Sequence, residues 1–169
     1  MPRGIRSPCP APTSASIRIR EVTRPSRRSC KGVLSQTVRI QRRATFAAAH
    51  ILCRPEWSDE RNREVFGACA TDHGHNYVVE VTVGGPVDPD TGMVVNLKQV
   101  DAALRRHFVD AVDHRHLNRD VEFLRGIVPT AENVAIAAFR QLEPHLKPAR
   151  LLKVRVVESE NNAAEVSAE

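Results

Sequence analysis

The sequence predicts an α+β domain in the order β-β-α-α-β-β, an antiparallel four-stranded sheet with two helices on one face. Three observations predict it. Two alternating apolar runs precede a turn-rich stretch, two segments with apolar residues at helical spacing follow, and an alternating apolar and basic run comes near the end. At 169 residues the chain can hold one domain with a real core but not two ordinary ones.

The first strand spans about residues 37–50, with Val38, Ile40, Phe46 and Ala48 on one parity. Residues 53–66 are polar and charged and read as a long loop with room for a helical turn, placed to act as a lid. The second strand spans about 75–83. Gly84-Gly85-Pro86 ends it, and Asp88-Pro89-Asp90-Thr91-Gly92 is dense in turn formers. Asn96 is a good N-cap with Gln99 three residues on, and Leu97, Val100, Leu104, Phe108 and Val112 give the first helix an apolar face. That helix ends near 113–118. The second begins after Pro129 with Thr130 as N-cap and Glu132 in its first turn, and buries Val134, Ile136, Ala137, Ala138, Phe139 and Leu142. His107 and His145 read as surface helix residues. A third strand spans 151–157, Glu158 sits at its end, Asn161-Asn162 turn the chain, and a short last strand covers about 164–166. Four strands leave two edges, which invites closure by neighbouring subunits.

Charge divides the chain. Residues 1–36 hold eight basic residues and one acid, a net +7, so with +5 overall the remainder sums to −2. Five prolines and many Ser and Thr without apolar periodicity predict a disordered basic tail over 1–36, ahead of a single domain over 37–169. Such a tail can be a transit leader, a nucleic-acid contact or a plain solvated extension, and the plain extension is preferred. No apolar run reaches membrane-spanning length. Four scattered cysteines without C-x-x-C suit a reducing compartment, so a cytoplasmic location is expected.

The chemistry concentrates in Cys69-Ala-Thr-Asp-His73-Gly-His75-Asn-Tyr77. Residues two apart on a strand share a face, so His73 and His75 can aim at one point, and Gly74 lets a neighbouring backbone come close. His50 can bring a third nitrogen if its strand pairs with theirs. Three imidazoles with an open fourth position make a catalytic rather than a structural zinc site. From the residues alone, Cys69 can equally be an inert thiol or a fourth ligand that closes the site. Asp113-His114 can be a helix cap, with His116 a rival for any proton relay, and Glu158 can be a solvated acid.

Further blocks accompany these: Phe46-Ala-Ala-Ala-His50, Asp88 to Leu97, Asp113-His114-Arg-His-Leu-Asn118, Pro129-Thr-Ala-Glu-Asn-Val134 and Val157-Glu158-Ser-Glu-Asn-Asn162. Together and in this order they resemble the 6-pyruvoyl-tetrahydropterin synthase / 6-carboxy-tetrahydropterin synthase family over about residues 38–166. The resemblance implies a tunnelling fold, in which trimers close their sheets into a barrel and pair as a homohexamer, with active sites between subunits. It implies zinc on His50, His73 and His75, and 7,8-dihydroneopterin triphosphate as substrate. It implies Cys69 as base with Asp113 and His114 as relay, Glu158 as anchor for the pterin, and Thr130 and Glu132 lining the pocket. Ile51 departs from the family, which usually has a basic residue there.

Two products are open to such a lyase. The Cys-x3-His-Gly-His spacing resembles the carboxy branch, which releases acetaldehyde and triphosphate and feeds queuosine synthesis. The lead-in before Cys69, Asn76-Tyr77 and Met93-Val-Val-Asn-Leu97 resemble the pyruvoyl branch. On spacing, the carboxy branch is the preferred expectation and the pyruvoyl branch its alternative. A non-catalytic zinc-binding module with a nucleic-acid-binding tail is the reading from another class.

Overall fold

The structure, a computed structural model, describes residues 37–168; the expected basic tail over 1–36 lies outside the described residues. Strand β1 (Val38–His50) pairs antiparallel with β2 (His73–Gly85) in one unbroken register, from Val38 opposite Gly85 to His50 opposite His73. Alternation in both strands dictates the pairing. Ala44, Phe46, Ala48 and His50 of β1 and Tyr77, Val79, Val81 and Val83 of β2 are buried on one shared face. Strand β2 therefore starts two residues earlier than the expected 75, because the ladder continues until His73 meets His50.

Gly74 is a place where the fold requires a glycine. A Cβ there would lie 3.0 Å from the carbonyl oxygen of Ala48, closer than the strands could tolerate without moving apart.

The sheet has five strands rather than four, in the order β3-β1-β2-β4-β5, and it is mixed. The extra member, β3 (Arg115–His116), lies parallel to β1 beside Ala48 and Ala49. Two residues carry no period to read. They are drawn in because the outer edge of β1 offers free backbone groups to the chain leaving the helix above it. Strand β4 (Arg150–Val157) pairs with β2 through a bulge at Thr82/Val83, and β5 (Ala163–Ser167) closes the far edge against β4.

The expected loop over 53–66 holds a helix, α1 (Asp59–Phe66). Ser58 caps it by accepting from the Arg61 N–H, Asp59 and Glu60 sit in its first turn, and Gly67 at φ 59° ends it. Its caps are legible, but it has almost no apolar face. Its one buried residue is Asn62, which bonds both backbone groups of Arg54.

Helix α2 (Leu97–Leu104) starts at Asn96 and runs through a π-helical turn (Arg105–Val109) into α3 (Asp110–Val112). Helix α4 (Ala131–Leu142) is capped by Thr130. Val100, Leu104, Phe108 and Val112, with Val134, Ala137, Ala138 and Leu142, pack the core against the sheet. Leu97 and Ile136, expected inside, are exposed: Leu97 begins its helix before the apolar face turns inward, and Ile136 lies on the outer side of α4. His107 and His145 are not independent surface residues; their rings stack 3.5 Å apart. No helix among the described residues is long and apolar enough to cross a membrane.

Candidate metal centre

The end of the β1–β2 ladder holds the candidate site. His50, His73 and His75 each place a ring nitrogen within 4.8 Å of the others. The ring centroids stand 4.5 Å apart for His50–His73, 5.2 Å for His50–His75 and 5.0 Å for His73–His75. His50 and His73 oppose each other across the strands, and His75 follows two residues along the same face.

Backbone carbonyls orient two of the rings. Nδ1 of His50 lies 2.9 Å from the carbonyl oxygen of Pro129, and Nδ1 of His73 lies 2.7 Å from that of Thr71. Each Nδ1 must carry its proton to make such a bond, which leaves Nε2 as a lone pair. Those two Nε2 atoms face each other at 3.0 Å, an arrangement that repels unless positive charge lies between them. Nε2 of His75 is buried without a hydrogen-bond partner, which costs about 1–3 kcal/mol when nothing satisfies it. Burial, above all, pushes the His50 imidazole below its usual range, so it stays a neutral donor. Three converging imidazole nitrogens, one orphaned, fit a nitrogen-preferring divalent cation such as zinc.

Glu158 joins this group. Its Oε1 lies 3.7 Å from Nε2 of His50 and 3.4 Å from the hydroxyl of Tyr77, at the end of β4. Tyr77 is a site residue to which sequence reasoning gave no role. It continues the parity of His73 and His75, and that alternation was the signal available. Its ring stacks on Phe46 at 4.8 Å. Burial first, and then the charge and hydrogen bond of Glu158, push its phenol far above the ordinary range.

Cys69 lies in the 3-10 turn Gly67–Ala70 just ahead of β2 and is partly buried. Among the described residues the metal-capable group is the three histidines without this thiol. The link to His73 is pinned at Asp72, whose carboxylate meets Nε2 of His116 at 2.8 Å and Arg119 at 3.0 Å. His116, the rival relay candidate, is thus held by Asp72.

Asp113 and His114 bond to the backbone of Ala47 and to each other, and His114 lines a surface pocket that also includes His75. Asp113 Oδ1 accepts the Ala47 N–H at 2.9 Å, and the His114 N–H donates to the Ala47 carbonyl at 2.6 Å. The Ala47 bond, with His114 beside it, holds the Asp113 carboxyl below its usual range. His114 has a left-handed backbone, φ 56°, and its side chain is 82% exposed with Nδ1 3.0 Å from Asp113. Thr130 is occupied in capping α4, accepting from the Asn133 N–H. Glu132 is exposed, and its carboxyl is held low chiefly by the Thr130 hydroxyl. The segment contributes the Pro129 carbonyl to the His50 ring.

Comparison with known proteins points to one family. The family model for 6-pyruvoyl tetrahydropterin synthase matches residues 39–169. A 6-pyruvoyl tetrahydrobiopterin synthase of Dictyostelium discoideum is 41% identical over 129 residues, covering 76% of this chain and 95% of that protein. The solved structure of the Caenorhabditis elegans 6-pyruvoyl tetrahydropterin synthase superimposes with a TM-score of 0.74 at 39% identity, covering 79% of this chain and 97% of that one. A protein of Archaeoglobus fulgidus named as a candidate 6-carboxy-5,6,7,8-tetrahydropterin synthase is 34% identical over 98 residues, 58% of this chain and 77% of that protein. The names therefore favour the pyruvoyl alternative over the carboxy branch that the Cys69–His73 spacing suggested. With the tunnelling fold, the three histidines at the end of its first strand pair and a family match spanning the whole described domain, the chain belongs to the 6-pyruvoyl tetrahydropterin synthase family.

Proposed function

We propose that the chain is a zinc-dependent lyase that eliminates triphosphate from 7,8-dihydroneopterin triphosphate to give 6-pyruvoyl-tetrahydropterin. The observation that carries this reading is the group of three converging imidazoles, with His50 buried and Glu158 beside it, in a chain 41% identical to relatives named 6-pyruvoyl tetrahydrobiopterin synthase. Zinc on His50, His73 and His75 would supply Lewis acidity that favours proton removal from side-chain carbons bearing oxygen. Cys69, as thiolate, takes the carbon-bound proton, and Asp113 with His114 receives and returns it. Glu158 accepts paired N–H donors from the pterin ring, and Thr130 and Glu132 border that pocket.

The relay in this reading comes from a neighbouring subunit, in a homohexamer built from two trimers. The exposure of His114, 82% of its side chain, supports that arrangement. We place the enzyme in the cytoplasm, in keeping with scattered cysteines and a small-molecule substrate.

The carboxy branch stays as a second reading on one observation, the three-residue link between Cys69 and His73. Moving the thiol relative to the metal changes which carbon proton it can reach. Incubation of zinc-loaded protein with 7,8-dihydroneopterin triphosphate separates the readings. Triphosphate release without acetaldehyde is expected. Acetaldehyde would select the carboxy branch, and turnover in neither channel would favour the non-catalytic zinc module.

A further inference from the structure

The Tyr77 hydroxyl stands 3.4 Å from each ring nitrogen of His50 and 3.4 Å from Oε1 of Glu158. A phenol has one proton to donate. Nδ1 of His50 already donates to Pro129, and Nε2 faces His73. With Nε2 of His50 committed to the metal in the function proposed above, the Tyr77 proton goes to Glu158. The ring that presents it is fixed: Tyr77 is fully buried, stacked on Phe46, and meets the edge of His75 at 5.5 Å.

Glu158 needs such a partner. Its side chain is 15% exposed, and among the described residues no Lys or Arg pairs with it. An ionised carboxylate can accept about four hydrogen bonds, so one phenolic donor leaves it short and receptive to a ligand with two parallel N–H groups.

We propose that Tyr77 is a positioning residue that holds the Glu158 carboxylate in the orientation that receives the guanidine-like edge of a pterin ring. The ligand class rests on the function proposed above. The phenol touches neither the reacting carbons nor the metal in this scheme; it acts through Glu158.

The test compares wild-type, Y77F, E158Q and Y77F/E158Q zinc-loaded holoenzymes. It measures kcat and KM for 7,8-dihydroneopterin triphosphate, the Kd of neopterin by fluorescence quenching, and bound zinc by elemental analysis. Losing a hydrogen bond to a charged group corresponds to roughly 10–100-fold in affinity. Y77F is expected to raise KM and the neopterin Kd by about tenfold or more, with kcat within about threefold and zinc unchanged. The double variant should be no worse than E158Q. An unchanged KM, loss of zinc, or a double variant that falls well below E158Q would overturn the positioning role. E158D, which withdraws the carboxylate from Tyr77 by one methylene, provides a second test should Y77F fold poorly. Weakened neopterin binding is expected, and wild-type affinity in E158D would overturn the inference. If E158Q itself binds neopterin like wild type, the failure lies in the proposed function, because the anchor and not its positioning is then mistaken.

Discussion

The imidazole cluster and the Asp113–His114 pair use similar residue types, and the fold treats them oppositely. His50 is fully buried, and backbone carbonyls fix the tautomers of both His50 and His73. His114 stands 82% exposed on a left-handed backbone at the outer edge of β1, with Asp113 as its ion-pair partner. One group is pre-organised within a single chain and the other is presented outward. A left-handed non-glycine residue costs about 1–2 kcal/mol and persists where the surroundings demand it. Here the demand is visible, since Asp113 and His114 together satisfy both backbone groups of Ala47. The difference teaches that the three imidazoles converge within a single chain while Asp113 and His114 face outward, and the shared-site relay proposed above rests on that contrast.

Replacing a histidine of the imidazole cluster should have the largest effect. His50→Ala is expected to lower zinc affinity beyond the roughly 10–100-fold loss that follows from disturbing a ligand's hydrogen-bond partner, and to abolish turnover. Elemental analysis after dialysis checks it, and full zinc retention would break the contrast. Next comes Cys69→Ala, expected to cut triphosphate release by about 10²–10⁴-fold while zinc stays bound. Loss of zinc instead would make the thiol a ligand.

The comparison itself is sharpened by co-expressing Cys69→Ala with His114→Ala. Each alone should be nearly inactive. Random mixing in a shared-site oligomer restores about a quarter of the sites, so activity should recover toward that fraction. No recovery would place both residues in one chain's site. The smallest effect concerns stability. The folded-state pKa of Asp113 is depressed chiefly by the Ala47 N–H, below its ordinary 3.8, so its contribution is present above about pH 4 and fades as pH falls through the folded value. Wild type should melt slightly above Asp113→Ala at pH 6, and the gap should close in acid. The group is partly exposed, so water and salt keep this gap small.

Much of this contrast was legible in the sequence on one side and little on the other. The alternation of His73, His75 and Tyr77, with Phe46, Ala48 and His50 opposite, fixes a shared face once the strands pair, so the metal group could be read from parity. The two main helices were legible from Asn96 and Thr130 and from the apolar spacing behind them. Strand β3 was not, because two residues have no period. Helix α1 was missed because it buries Asn62 rather than an apolar stripe. The carbonyls of Pro129 and Thr71 that orient the rings leave no mark in side-chain identity at all. Asp113 was open to reading as a helix cap or a relay member; the structure adds its bond to Ala47, a third use that spacing could not reveal.

The side-chain amide of Asn118 accepts the Ile51 N–H at 3.0 Å and donates to the Ile51 carbonyl at 2.9 Å. It imitates the peptide of an adjacent strand, one residue past the point where β1 delivers His50. A carboxylate there has no N–H to give, and a shorter amide mimic does not exist among the amino acids. The exit of the strand that carries His50 is therefore closed by a single replaceable group, which makes this position a sensitive place to loosen the rim of the site without touching any of the three histidines.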